Sequence, residues 1–342
     1  MNSGFEALSW DLRNENLFKT EALFLARKND WSALFIEHFL SVCADIVKLQ
    51  SESSLPAISR IQYTMLNNDF IDRRYVSEVW GSDNAMYLDK KKCMVGEFDI
   101  SFLFVYFNEM WDKLLSPRKR CKATDQEVVS FMSESLPHFY SYLISIARFA
   151  IAECVDKKPF VDIAKEDFFK VNVDDYMSET AETVYMEKKN KNAEDLSKWF
   201  SEKINYAYNH GDYSGLDFSG KEFINTDFRY VRFRDSKLNY VNFENSSLIG
   251  ASFRNAEMEG CRLDNCYIFE ADFSNANMKN ASLIQTTGKV GSIDKKVWQF
   301  VGYLPVNFHN ADLTGADFTG AKLTGADFTG AILSGADFTT RG

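Results

Sequence analysis

A large apolar residue recurs every fifth position along the last third of this chain, at 218, 223, 228 and onward to 283, then from 308 to 338. These 21 centres hold eleven Phe, seven Leu, two Met and one Ile. At the chain's apolar frequency, an unbroken run of that length has a chance probability below about 10⁻⁷, so the period is a structural instruction. Two residues before each centre the chain is nearly as restrictive. Nineteen of those 21 positions are Ala, Ser, Thr, Cys or Val, with Leu216 and Lys221 the exceptions. The remaining three of each five are mostly Asp, Asn, Ser, Thr, Gly, Lys or Arg. A helix cannot use such a pattern, because a five-residue step advances a side chain by about 500° and scatters the apolar positions around the axis. A flat strand would alternate every two residues. A chain that turns a corner every five residues keeps every centre inside a square coil, with four repeats per turn and backbone pairing between stacked coils.

The tail, ADLTG ADFTG AKLTG ADFTG AILSG ADFTT, resembles the pentapeptide-repeat proteins, whose signature is A(D/N)LxX with Leu or Phe as centre. That resemblance covers about residues 211–340. It implies a right-handed quadrilateral β-helix, a pentapeptide-repeat solenoid, over 211–342. Five to six coils at about 4.8 Å each would make a rod of roughly 25–30 Å. Residues 286–305 break the signature without changing its phase, and Ile293, Trp298 and Tyr303 even fall on centre positions. They form either one irregular coil or an excursion that returns in register; the misfit of Gly288 and Lys296 favours the excursion. Coil ends expose unpaired backbone and apolar surface, so both need covers. At the front, 191–210 reads as a capping helix, with Leu196, Trp199, Phe200 and Ile204 on one face. At the back only four residues follow Phe338. The expectation there is a homodimer through the uncapped C-terminal coil, or a bound partner.

Residues 1–190 form a separate, helix-rich α+β domain of no recognised family. The spacing predicts a helix over 31–49 capped by Asp30, and two or three antiparallel strands within 57–88. It also predicts a helix over 100–115 capped by Asp99, and another over 126–155 that Pro137 kinks or restarts. The stretch from there to 192 is charged and ambiguous.

No catalytic, cofactor or metal site is legible. None of His38, His138, His210 and His309 lies within four residues of another His or of a Cys, and no cysteine pair has CxxC spacing. Cys261 and Cys266 occupy the small inward position and read as buried structural thiols. Asp174, Asp175 and Glu179 could pair as carboxylates but read as a solvated loop. No phosphate-binding glycine loop or nucleophile motif occurs. The net charge of −10 argues against direct nucleic-acid binding over the whole surface. No signal-peptide pattern or membrane-length apolar run is present, which places the chain in the cytoplasm.

The register exposes one unusual surface. Beside the centres 228, 248 and 268, outward positions carry Ile249, Tyr267 and Phe269, with Tyr230 nearby, where polar residues are the rule. Arg229, Arg232, Arg234 and Arg254 adjoin them. Either another part of the chain covers this patch or a protein partner does. The expected function is a non-catalytic protein–protein interaction scaffold. The resemblance supplies an alternative, DNA-mimicking modulation of a type II topoisomerase, giving gyrase inhibition or quinolone protection. Against it, 13 Lys/Arg stand beside 16 Asp/Glu from Gly211 onward, far from a strongly acidic rod. An enzyme in the N-terminal domain is the third reading.

Overall fold

The computed structural model describes residues 3–65, 69–83, 92–116, 123–175, 182–289 and 304–339. It divides into two compact units, the first ending at Tyr185 and the second beginning at Met186.

The first unit opens with α1 (Ser3–Ser51), a 49-residue helix. Asp30 does not start a helix, as its capping chemistry suggested; it sits inside α1 and pairs with Arg27 at 2.8 Å. The helix is held along its whole length because Phe5, Leu12, Leu17, Phe24, Trp31, Phe35, Phe39, Val42 and Ile46 are all buried. Next come β1 (Ile58–Met65), β2 (Val76–Ser82) and β3 (Lys92–Asp99). The expected helix over 100–115 is shorter: Asp99 accepts the Ser101 amide and opens a 3-10 turn, and α2 runs Val105–Leu115. Continuous through Pro137, α3 (Asp125–Ala152) begins in a capping box of Thr124 and Glu127. Buried Met132, Leu136, Phe139, Tyr140 and Leu143 fix the helix on both sides of the proline. The ambiguous stretch supplies β4 (Lys165–Asp175) and β5 (Glu182–Lys188). Asp174 and Asp175 therefore end a strand and are not loop residues; Glu179 lies outside the described residues. The sheet order is β3-β2-β1-β4-β5, with β1 antiparallel to β2 and parallel to β4.

The second unit opens with α4 (Ala193–Ser201), capped by the Asn192 side chain. It is shorter than expected: Leu196 and Phe200 are buried, while Ile204 lies beyond the helix and is exposed. The repeats follow as stacked 20-residue coils, each residue before a centre bridging in parallel to its equivalent 20 residues on, as in Arg232–Ser252–Asp272. Between coils the centre amide donates forward and its predecessor donates back, as in Phe253 N to Asp272 O at 2.7 Å and Ser252 N to Val231 O at 2.9 Å. Within each five, a turn bond such as Ala256 N to Phe253 O, 3.0 Å, makes the corner. The residue two after the centre has positive φ, and Gly, Asn or Asp fills most such positions because their αL cost is low.

The period of the stack changes once. Asp272 pairs with Asn307 and Thr287 with Lys322, steps of 35 residues in place of 20. The ladder thus closes past the stretch between Lys289 and Leu304; Ile293, Lys296, Trp298 and Tyr303 lie outside the described residues. Gly288 is buried where an added Cβ would stand 2.6 Å from Val306 and 2.9 Å from Ile268.

The small inward residues have a second task. Most centre carbonyls accept a turn amide and keep one lone pair inside the apolar stack, whereas at Phe223 the turn amide of Thr226 donates to Ser246 Oγ. Ser246 Oγ donates to Phe223 O at 2.8 Å, Cys261 Sγ to Leu238 O at 2.7 Å, and Cys266 Sγ to Phe243 O at 3.0 Å. Burial pushes both thiols up to about 12 and Cys154 to about 11, and raises Cys43 as well. Peptide mapping after brief thiol alkylation of the native protein should therefore find half-exposed Cys93 modified before these four. Rapid labelling of Cys261 or Cys266 without unfolding would contradict this placement.

Candidate functional site

The outer wall beside centres 228, 248 and 268 brings Asp227, Ser247 and Tyr267 into one bridged line, with Arg229, Ile249 and Phe269 two residues beyond each. Tyr267 is 55% exposed and Phe269 is 8% exposed. Their rings stack at 6.3 Å with planes 15° apart. The hydroxyl-bearing ring thus faces solvent while the hydrocarbon ring beneath it is covered. Ile249 is half-buried. Tyr230 lies flat: its ring stacks on His210 at 4.9 Å and occupies the space above Gly250, where a Cβ would stand 2.3 Å from it. Of the four apolar residues singled out, Tyr267 is the one that stands out from the wall.

The arginines separate in the same way. Arg229 grips Asp227 with Nε to Oδ1 and Nη2 to Oδ2, both 2.9 Å, and lies over the Tyr206 ring at 4.9 Å. Burial raises the Asp227 pKa, but this fork outweighs it and the net shift is downward. Arg232 is buried, and Arg234 donates from Nε to Ser252 Oγ at 3.2 Å. Arg254 is exposed and free to meet a partner's acceptor.

Three further exposed residues escaped the sequence reading: Tyr206 at 71%, Tyr240 at 67% and Ile332 at 50%. A signal existed for Tyr240. It occupies the positive-φ corner where Gly or Asn is usual, and its ring covers Gly260. In the last coil, Leu333 and Phe338 are centres yet 39% and 48% exposed. The amides of Phe318 and Gly320 still find Asp337 and Thr339, whereas among the described residues no further coil follows to accept those of Leu323, Phe328 and Leu333.

Among the described residues no group of three or more His, Cys, Asp or Glu could hold a metal ion, and no helix is long and apolar enough to cross a membrane.

The family model described as pentapeptide repeats matches eight copies, at residues 226–265, 246–285 and 306–339. No curated protein matches the chain. Among solved structures, a pentapeptide repeat protein (Rfr23) from the cyanobacterium Cyanothece 51142 is 17% identical, covering 42% of this chain and 95% of its own, with a TM-score of 0.24. One from the Arabidopsis thaliana thylakoid lumen is 31% identical over 41% of this chain and 74% of its own, TM-score 0.16. QnrB1, a plasmid-mediated fluoroquinolone resistance protein, is 19% identical over 39% and 83%, TM-score 0.17. These TM-scores are low, so none of the likenesses bears on what this chain does. The family-model matches fall on the segment whose five-residue register, parallel ladder and stacked centres are described above: the C-terminal segment of this chain belongs to the pentapeptide-repeat family.

Proposed function

We propose that the second unit is a non-catalytic protein–protein interaction scaffold. Its coils form a right-handed quadrilateral β-helix whose outer wall is the docking surface. The stacked pair Tyr267–Phe269 carries this reading. An exposed tyrosine backed by a buried ring is held in place before a partner arrives, so little side-chain entropy is lost on binding. Aromatic residues with nearby arginine are the usual energetic centres of protein interfaces, and Arg254 is available at the rim. Asp227 and Ser247, in the same bridged line as Tyr267, supply a polar border. The exposed centres of the last coil support a second contact there, with another copy of the chain.

Affinity capture from a cell lysate with wild type, Tyr267→Asp and Lys237→Glu tests the wall. A protein held by wild type and Lys237→Glu but lost by Tyr267→Asp is the expected result. Tyr267 is exposed, so its loss should leave the thermal melt unchanged. Identical captured sets for all three proteins would remove this wall from consideration. A captured type II topoisomerase would shift the reading towards topoisomerase modulation.

A further inference from the structure

One face of the five-stranded sheet is apolar: Ile61, Tyr63, Val79, Val171 and Val173 are buried, with Tyr63 and Phe98 against Phe35 of α1. The opposite face is ordered by charge. Arg60 stands opposite Ser82 on β2 and Lys170 on β4, and Ser82 opposite Lys92 on β3. Residues directly opposite share a face, so Lys92, Ser82, Arg60 and Lys170 form one row across four strands, about 14 Å long. The next row is Met94, Trp80, Gln62 and Asn172. In the third row Glu78 stands opposite Glu97, and Thr64 opposite Asp174.

Among the described residues, no carboxylate lies in the cationic row itself. None of the three cations forms an ion pair with a described residue; Lys92 rests on the Trp80 ring at 4.0 Å and Lys170 near the Phe168 ring at 5.0 Å. Desolvation, and then the neighbouring Arg60, pull the Lys170 pKa down. Two cations on adjacent strands repel one another, and an anion seated between them relieves that cost.

We propose that this sheet face binds a short stretch of single-stranded nucleic acid, phosphates along the Lys92–Arg60–Lys170 row and one base on Trp80. The row is too long for one phosphate and fits two or three of an extended strand. Small-molecule sites are concave, whereas a flat sheet face with a ring beside cations suits unstacked bases. Trp80 offers the stacking surface, its ring held by Nε1 donating to Glu78 Oε2 at 3.0 Å. A base arriving on Trp80 displaces the Lys92 ammonium and frees it for phosphate. An acidic peptide would satisfy the cations but make no use of Trp80. The chain's net charge of −10 does not forbid this, because exposed charges more than about 8–10 Å away are largely screened.

The test is fluorescence anisotropy of the full chain with labelled mixed-sequence RNA or DNA of about ten nucleotides, within the usual site size for such grooves. Three phosphate contacts predict that log affinity falls against log salt with a slope of about −2. Arg60→Gln/Lys170→Gln should weaken binding at least about tenfold and flatten the slope. Trp80→Leu should weaken it about tenfold with the slope unchanged. Lys92→Gln, a change at an exposed side chain, should reduce the slope by about 0.7 while leaving circular dichroism as in wild type. Absence of binding by the wild type, or polyglutamate competing as well as an oligonucleotide of equal charge, would overturn the proposal. So would unchanged affinity and slope in both Lys92→Gln and a folded Arg60→Gln/Lys170→Gln.

Discussion

Phe273→Ala is expected to lower the stability of the second unit by about 3–5 kcal/mol, and Phe338→Ala by less than about 1 kcal/mol. The two residues have the same place in the five-residue register, but not the same neighbours. Phe273 is fully buried, its ring stacked on Phe253 at 5.0 Å with planes 2° apart and on Phe308 at 5.1 Å with planes 7° apart. Removing it leaves a cavity between two rings that cannot close together, since the coil spacing is fixed by the backbone ladder. Phe338 stacks on Phe318 at 4.6 Å but is 48% exposed, with solvent on its other side. Water already occupies part of the space the truncation would vacate. Phe273 also sits where the ladder makes its long step, its amide donating to Asn307 at 2.7 Å across the 290–303 stretch. In a solenoid each coil is stabilised by its neighbours, so a break there divides the coils before 285 from those after 306. Urea unfolding followed by far-UV circular dichroism reads this directly. The expected trace for Phe273→Ala is an earlier transition that separates into two; for Phe338→Ala it is a single transition close to wild type. Equal losses at the two sites would mean that register, and not burial, sets the cost.

The repeat segment was legible because one property, a large apolar side chain every five residues, fixes which atoms face inward whatever surrounds them. The ladder from Arg232 through Ser252 to Asp272 follows from that register alone. A further signal went unread: Asn255, Asn265 and Asn275 stand at positive-φ corners, and their recurrence marks the turn as clearly as Phe marks the interior. In the first unit, helix ends were harder to place, because local capping chemistry at Asp30 competed with the burial of Phe5, Leu12 and Phe24 ahead of it, and burial won. The strand β4 carried its period-two signal openly, with Phe169, Val171 and Val173 buried and Phe168, Lys170 and Asn172 between them. Its charged flanks concealed it. Of the wall residues, the register placed Tyr267 and Phe269 on one side, but which of the two is exposed depends on tertiary cover that no local pattern encodes. The cationic row on the sheet was beyond sequence reading altogether, since Arg60, Lys92 and Lys170 meet only through strand order and register.

Phe200→Asp should open the front of the solenoid while leaving its middle intact. Phe200 is 1% exposed and is the plug of the first coil. Its ring lies 4.9 Å from Tyr213, 5.0 Å from Phe228, 5.2 Å from Tyr208 and 5.4 Å from Phe223. The helix end is fastened beside it: the Tyr208 hydroxyl donates to Trp199 O at 2.7 Å and accepts the Ile204 amide at 2.9 Å. Removing the ring alone costs about 3–5 kcal/mol. A carboxylate in that place adds the penalty of a charge buried among aromatic rings, so α4 must leave. Nine residues of isolated helix are too few to persist in water, and α4 should then unfold. Hydrogen exchange distinguishes the consequences. Amides of the first coil, such as Gly215 and Gly220, which donate to Arg234 and Asn239, should exchange at least about a hundredfold faster than in wild type, which is the rate change that the loss of 3–5 kcal/mol of local stability brings. Those of Phe253 and Phe273 should change little, because each coil is held chiefly by the coils beside it. Exposed rings at the open end should also raise dye binding and promote association, reversibly with protein concentration. Uniform acceleration along the whole solenoid would show that the plug nucleates the fold rather than closing it; unchanged exchange at Gly215 would show that α4 is dispensable to the first coil.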